Sequence, residues 1–287
     1  MLRKWSTERR VAISCDPRIN PGCTDNGLPA DGMLRLLSFN IQVGNSTLGY
    51  HHYLTRGWQH VLPHSGRTNN LQRIGQLLAD YDVVALQEAD GGSLRSSYVN
   101  QVEHLARLGA FPYWYQQLNR NLGKFAQHSN GLLSRLKPTA LEDHPLPGPP
   151  GRGAILMRFG EGDDAVAVVM MHLALGAKTR ALQLSYVREL IGGYRHQVLM
   201  GDMNTHANDL LERSPLRDLG LLAPQAQATF PSWRPQRCLD HILISPGLTL
   251  GKVGVLPLPI SDHLPVAVEI RLPDGPRAND SLPVTTA

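Results

Sequence analysis

The stretch Gln197-Val198-Leu199-Met200-Gly201-Asp202-Met203-Asn204-Thr205 decides how this chain is read. Its first four residues predict a short buried strand, and Gly201 lets the backbone turn where that strand ends. Asp202 and Asn204 are two apart, so on an extended backbone they project from the same face. A carboxylate beside a carboxamide can orient a water close to a cation, as hydrolysis of a phosphate ester requires. Taken alone, Asp and Asn after a strand are also ordinary turn residues. The other strand ends decide between the two readings.

Working outward, the same arrangement recurs. The apolar run Leu34 to Phe39 ends in Asn40, Val83-Val84-Ala85-Leu86 ends in Gln87-Glu88, and Val166 to Met171 ends in His172. Strand Leu239 to Ser245 carries Asp240 and His241 on opposite faces, and Ser261-Asp262-His263 precede a last strand, Leu264 to Arg271. Polar groups at strand ends are where α/β folds tend to build sites. Further strands are expected over 113–118, 131–134 and 154–159. One helix is expected to be capped by Asn69 or Asn70 and to bury Leu71, Ile74, Leu77 and Leu78. A second carries Tyr98, Val102, Leu105 and Leu108, and a third runs from Lys178 to Ile191 with Arg180 near its start. The segment from Leu136 to Arg152 has five prolines and no period, so it reads as a connection, as does the turn-rich stretch before Ser261. The long loop from Gly44 to Asn70 carries Arg56, Trp58 and four histidines; loops of that length in a compact domain are commonly functional.

Composition bounds the classes. The chain has 287 residues, 42% of them apolar, and no run near the roughly 18 apolar residues of a membrane helix. The net charge of +4 and the pI of about 9.1 permit an anionic partner, and the basic residues are mostly Arg, which suits bidentate phosphate contacts. No apolar core follows the basic N-terminus, so no secretory signal is recognised and a cytoplasmic protein is expected. Cys15 and Cys23 flank a loop that could close as a small disulfide, but with only three cysteines in the chain they are read as reduced. Residues 1–32 read as an irregular N-terminal arm, 33–272 as one domain, and 273–287 as a polar, disordered tail.

Asn40 in SFNIQ, Glu88 in LQE, Asn130 in NGLLSR, His172 in MHLAL, Asp202 and Asn204 in GDMNT, Asp240 in LDHI, and Asp262 with His263 in SDHLP occur in that order. The ordered set resembles the endonuclease/exonuclease/phosphatase superfamily of deoxyribonucleases, AP endonucleases, neutral sphingomyelinases, inositol polyphosphate 5-phosphatases and deadenylases. The resemblance implies an α/β (α+β) fold, a four-layer sandwich of two packed mixed β-sheets flanked by helices, with the site at one rim. It implies a metal-dependent phosphodiesterase, most simply an endonuclease acting on nucleic acid; the alternative is a sphingomyelinase-like lipid or small-molecule phosphodiesterase or a phosphatase, and a catalytically silent binding module is the less favoured reading. No protein partner is inferable. Asn40 and Glu88 would hold Mg²⁺, or Mn²⁺ in its place, with Asp262 close enough to join, since hard cations take oxygen ligands. His172, Asp202, Asn204, Asp240 and His263 would be catalytic, and Asn130, Arg56, Trp58 and Arg180 would meet the substrate. Glu88 is followed by Ala89-Asp90 rather than the Thr-Lys of AP endonucleases, which argues against an AP-site nuclease. The Glu that pairs with the equivalent of His172 in deoxyribonucleases has only Gln116 and Gln117 as nearby counterparts, leaving His172's partner open.

Overall fold

Strict alternation along the strands gives each of two sheets an inner and an outer apolar face, and the chain stacks the inner faces on each other. The computed structural model describes residues 9–19, 32–45 and 65–271. In chain order the elements are β1 (Arg9–Arg10), β2 (Met33–Asn40), α1 (Ser65–Leu78), β3 (Val83–Asp90), α2 (Gln101–Leu108), β4 (Tyr113–Asn121), β5 (Gln127–Ser134) and β6 (Ala140–Pro145). They continue with β7 (Gly153–Phe159), β8 (Val166–His172), α3 (Ala177–Ile191), β9 (His196–Asp202), β10 (Asp240–Ile244), β11 (Thr249–Val255) and β12 (Val266–Arg271). One sheet has the order β1-β6-β7-β8-β9-β10 and the other β11-β12-β2-β3-β5-β4. Each is antiparallel except for one parallel pair, β8–β9 and β2–β3, joined through α3 and α1.

Leu34, Leu36, Val83, Ala85 and Leu132 of one sheet meet Ile155, Val168, Met170, Val198, Met200 and Ile242 of the other in the central core. The alternate residues face the helices: Leu37, Phe39, Val84 and Leu86 pack with Ile74, Leu78 and Leu105, and Ala167, Val169 and Leu199 with Leu184, Val187 and Ile191. Full burial of each large apolar side chain is worth about 1.5–3 kcal/mol. A slip of one residue would turn every inner side chain outward, so the register is strongly fixed. The four-layer sandwich expected from the resemblance is therefore the fold.

Several local expectations are corrected. Asn69 and Asn70 are helical residues of α1 rather than caps; Asn70 is buried and donates to the Gly44 and Ile260 carbonyls at 3.1 and 2.6 Å. Asn100 caps α2, accepting from the Val102 and Glu103 amides, which leaves Tyr98 outside the helix. The proline-rich connection contains β6, and the turn-rich stretch contains β11, an edge strand whose outer half is exposed and therefore lacks alternation. Arg9–Arg10 of the N-terminal arm pair with Asp143 and Glu142 of β6. Cys15 is disulfide-bonded, whereas Cys238 is a buried free thiol. The reading of all cysteines as reduced is thus corrected, and with it goes the cysteine argument for the cytoplasm, because such bonds persist in oxidising compartments. Among the described residues no helix is long and apolar enough to cross a membrane.

At Gly201 the backbone adopts φ +147°, and a Cβ there would lie 1.8 Å from the Met171 carbonyl oxygen on the neighbouring strand. We expect Gly201→Ala to destabilise the fold by about 2–3 kcal/mol, since the clash is with backbone that cannot rotate away. A urea midpoint equal to that of the wild type would contradict this.

Candidate active site

The polar strand ends keep the inner register and so face one another where the apolar layer stops. In one sheet Asn40 pairs with Gln87 and Asn130 with Gln117; in the other Asp202 lies between His172 and Asp240. Asn40 Nδ2 donates to Asp202 Oδ2 at 3.1 Å, tying the two rows together across the sandwich. Asn204 is not on extended backbone, as its spacing from Asp202 had suggested, but in a left-handed turn at φ +52°. Its amide N–H donates to Asp202 Oδ1 at 3.0 Å and its side chain donates to the Leu173 carbonyl at 2.9 Å, which fixes the turn.

Glu88 would face the helices if β3 alternated without a break, because Val84 and Leu86 do. Between Leu86 and Ala89, however, the β3–β5 register shifts, and Glu88 takes φ +54°. Such a bulge re-aims one side chain. Here it turns Glu88 into the site, where Oε1 lies 4.0 Å from His172 Nε2.

His263 Nδ1 lies 2.8 Å from Asp240 Oδ2, which also accepts from Thr229 Oγ1 at 2.5 Å. His263 Nε2 is 3.9 Å from Asp202 Oδ2, and the Phe230 ring packs at 4.8 Å from the imidazole. Burial alone would push His263 down, but Asp240, Asp202 and Asp262 together hold its pKa well above the ordinary histidine value. That direction favours the charged ring over the neutral one. Burial pushes Asp202 up to about 7; the imidazolium of His263 pulls against this, while Asp240 and Glu88 add to it. His172 goes the other way: burial, then Arg152 and His263, hold it neutral. Arg152 Nη1 lies 2.7 Å from both ring nitrogens of His172, and Asp202 Oδ2 lies 3.5 Å from Nε2.

Two ends of the site compete for a cation. Asp202, Asp240 and His263 bring their ligand atoms within 4.8 Å of one another. The three acids around His263 favour its charged form, which suits this end to acid–base work more than to holding a cation. Glu88, Asn40 and Asp262 fit better. The Glu88 carboxyl is held above its ordinary value by desolvation first and by the Asp262 charge second, and Asn40 hydrogen-bonds to it. Although 41% of the Glu88 side chain is reached by solvent, it lies on the floor of a cleft, so the like charge of Asp262 is poorly screened. A hard divalent cation would relieve that repulsion with oxygen donors alone.

The structure thus brings together Asn40, Glu88, Asn130, His172, Asp202, Asn204, Asp240, Asp262 and His263. Arg180 is placed on the first turns of α3, where Nη1 donates to the Ala174 and Leu175 carbonyls and braces the loop after His172. Arg56 and Trp58 lie outside the described residues. Three residues were missed by sequence reasoning: Arg152, hidden in the proline-rich connection; Thr229, which anchors Asp240; and Gln87, fully buried between the rows with no hydrogen-bond partner for its amide among the described residues. Gln87 was legible as the inner-face neighbour of Asn40. Gln117 turns away from His172 to Asp143 Oδ1 and the Ala154 carbonyl, and sits 3.5 Å from the Asn130 amide.

Carboxylates, amides and two histidines gathered at one rim of a two-sheet sandwich make a donor set suited to phosphoester chemistry. The chain belongs to the Endonuclease/Exonuclease/phosphatase family, whose model matches residues 37–263. Family members hydrolyse phosphoester bonds and usually need a divalent metal. No curated protein matches the sequence. Among solved structures, an endonuclease/exonuclease/phosphatase from Beutenbergia cavernae DSM 12333 is similar at 20% identity, covering 86% of this chain and 73% of its own, with a TM-score of 0.64. A mannosyl-6-phosphatase from Bacteroides thetaiotaomicron VPI-5482 shares 19% identity over 83% of this chain and 99% of its own, TM-score 0.59. ANGEL2, a 2′,3′-cyclic phosphatase, shares 15% over 84% and 95%, TM-score 0.58. At these identities the likeness shows the fold alone.

Proposed function

We propose that the protein is a Mg²⁺-dependent phosphodiesterase acting on nucleic acid, an endonuclease in the simplest form. The observation that carries the reading is the buried pair of Asp202, a carboxylate raised toward neutrality, and His263, an imidazolium 3.9 Å away backed by Asp240. That pair supplies a base and an acid at the same pH, which is how one site takes a proton and gives another. Asp202, oriented by Asn40 and Asn204, accepts the proton of the attacking water. The oxygen–phosphorus bond forms as the bond to the leaving oxygen breaks, and His263 gives that oxygen its proton. Neutral His172 and Asn130 hold the phosphoryl oxygens, and Arg56, Trp58 and Arg180 are proposed contacts to the rest of the substrate. A cation held by Glu88, Asn40 and Asp262 would neutralise charge that builds on phosphorus, with Mn²⁺ able to replace Mg²⁺.

Nucleic acid is preferred because the pI is about 9.1 and the charge is carried mostly by Arg. Incubating the protein with Mg²⁺ and, separately, plasmid DNA, RNA, sphingomyelin and inositol phosphates tests the choice. Nicked plasmid or shortened RNA is expected. Turnover confined to sphingomyelin or to inositol phosphates would move the assignment to the lipid or small-molecule reading.

A further inference from the structure

Beyond Glu88 and His172 the site opens into a cleft of about 290 Å³ whose far wall carries Asn119, Arg120, His128 and Arg152. Two segments distant in sequence build it. Arg120 and His128 stand on β4 and β5, opposite each other in the ladder. Arg152 arrives from above on Pro149-Pro150-Gly151, where Gly151 takes φ +111°. A Cβ on Gly151 would lie 3.9 Å from Arg120 Cβ, so the loop carrying Arg152 lies over the stem of Arg120.

The wall beyond Glu88 carries basic groups, and Glu88 on the floor beside His172 is the one acid among the lining residues. Arg152 is half-buried and touches His172 through Nη1; no carboxylate reaches ion-pair distance among the described residues, and Glu88 and Asp202 act on it through longer-range charge. Arg120 likewise forms no ion pair or hydrogen bond there, in contrast to Arg18, Arg95 and Arg158, which are matched to Asp16, Asp90 and Glu161. His128 is held neutral by burial and then by the combined charge of Arg95, Arg120 and Arg152. Asp90, farther along β3, is already taken by Arg95 and by the Ser93 and Ser96 hydroxyls. Half-burying a guanidinium without a carboxylate is unfavourable unless an anion arrives. Ligand pockets run from about 300 Å³ upward, so this one is sized for a phosphate with its sugar rather than for a duplex.

Resting on the phosphoester-hydrolase reading of the neighbouring site, we propose that this cleft binds a second phosphate of the substrate, held by Arg120 and Arg152 beside the phosphate to be hydrolysed. In nucleic acid this is the adjacent phosphate of the same strand. The protein would then discriminate by the number of phosphates and not only by their reactivity.

The test is a binding measurement on the wild-type protein in EDTA, where affinity is read without turnover. Thymidine 3′,5′-bisphosphate is compared with thymidine 3′-monophosphate and 5′-monophosphate by calorimetric titration. The bisphosphate is expected to bind about tenfold or more tightly than either monophosphate, the effect of one added charge-assisted contact. Arg120→Ala should bring that ratio close to one, and Arg120→Lys should restore part of it. Equal affinities in the wild type, or a ratio that survives Arg120→Ala, would overturn the proposal. The hydrolase reading fails separately: a bisphosphate preference in a protein that turns over no phosphoester with Mg²⁺ would keep the cleft and remove the reaction beside it.

Discussion

Asp202→Asn is expected to lower kcat on any phosphodiester the protein hydrolyses by about two to four orders of magnitude, with little change in KM. The amide keeps the size of the side chain and can still accept a bond from Asn40 or from the Asn204 N–H, but it cannot take the proton of the attacking water. Stability should move the opposite way. In the unfolded chain an aspartate titrates near 3.9, about three units below its folded value of about 7. Between those values the native protein holds a proton that the unfolded chain has lost, so stability falls as pH rises through this window, and above about 7 the buried charge is a full liability. The variant has no such charge. Its thermal midpoint should exceed that of the wild type at pH 8, and the advantage should vanish below about pH 4. A variant that is inactive because it is unfolded would show the reverse order at pH 8.

His263→Ala is the second large loss, again about two to four orders of magnitude in kcat. Without the imidazolium the leaving oxygen has no proton donor, and Asp202 and Asp240 face each other with no cation between them. His263 has a folded pKa above its unfolded value of about 6.5, so its contribution to stability is complete below 6.5 and is lost only as pH rises through the higher folded value. His263→Gln separates the two effects, because an amide can bond Asp240 and fill space beside Phe230 without carrying a proton. It should be as inactive as His263→Ala and more stable. The rate of the wild type should fall on the acid side near pH 7, as Asp202 protonates, and on the alkaline side only well above 6.5. An alkaline limb centred between pH 6 and 7 would mean that His263 acts as a neutral base.

Much of this site was legible in the sequence because strand parity carries it. Asn40, His172, Asp202 and Asp240 are in phase with the apolar residues of the inner faces, and an even spacing from a buried residue can be counted without a structure. Glu88 is out of phase. Its place at a strand end and the ordered motif set pointed to it, whereas parity alone would turn it toward the helices; a shift in the β3–β5 register turns it inward. Arg152 was invisible for a different reason: prolines and glycines mask periodicity, and nothing local says that the loop folds over Arg120. Asn70 lies inside helix α1 rather than at its cap, with its amide bonded to the Gly44 and Ile260 carbonyls, tertiary partners that no capping rule anticipates. The edge strand β11, and β6, flanked on its outer side by the two residues of β1, were missed where the burial pattern loses its alternation.

The central claim is that a divalent cation at Glu88, Asn40 and Asp262 supports phosphodiester hydrolysis by Asp202 and His263. Its most direct test is turnover of bis(p-nitrophenyl) phosphate by wild type and Glu88→Gln, in EDTA and then across a Mg²⁺ titration. The wild type should be silent in EDTA and recover on adding Mg²⁺ or Mn²⁺, and Glu88→Gln should need far more metal for a small fraction of the rate. Undiminished turnover in excess EDTA, or a Glu88→Gln titration that overlays the wild type, would contradict the account.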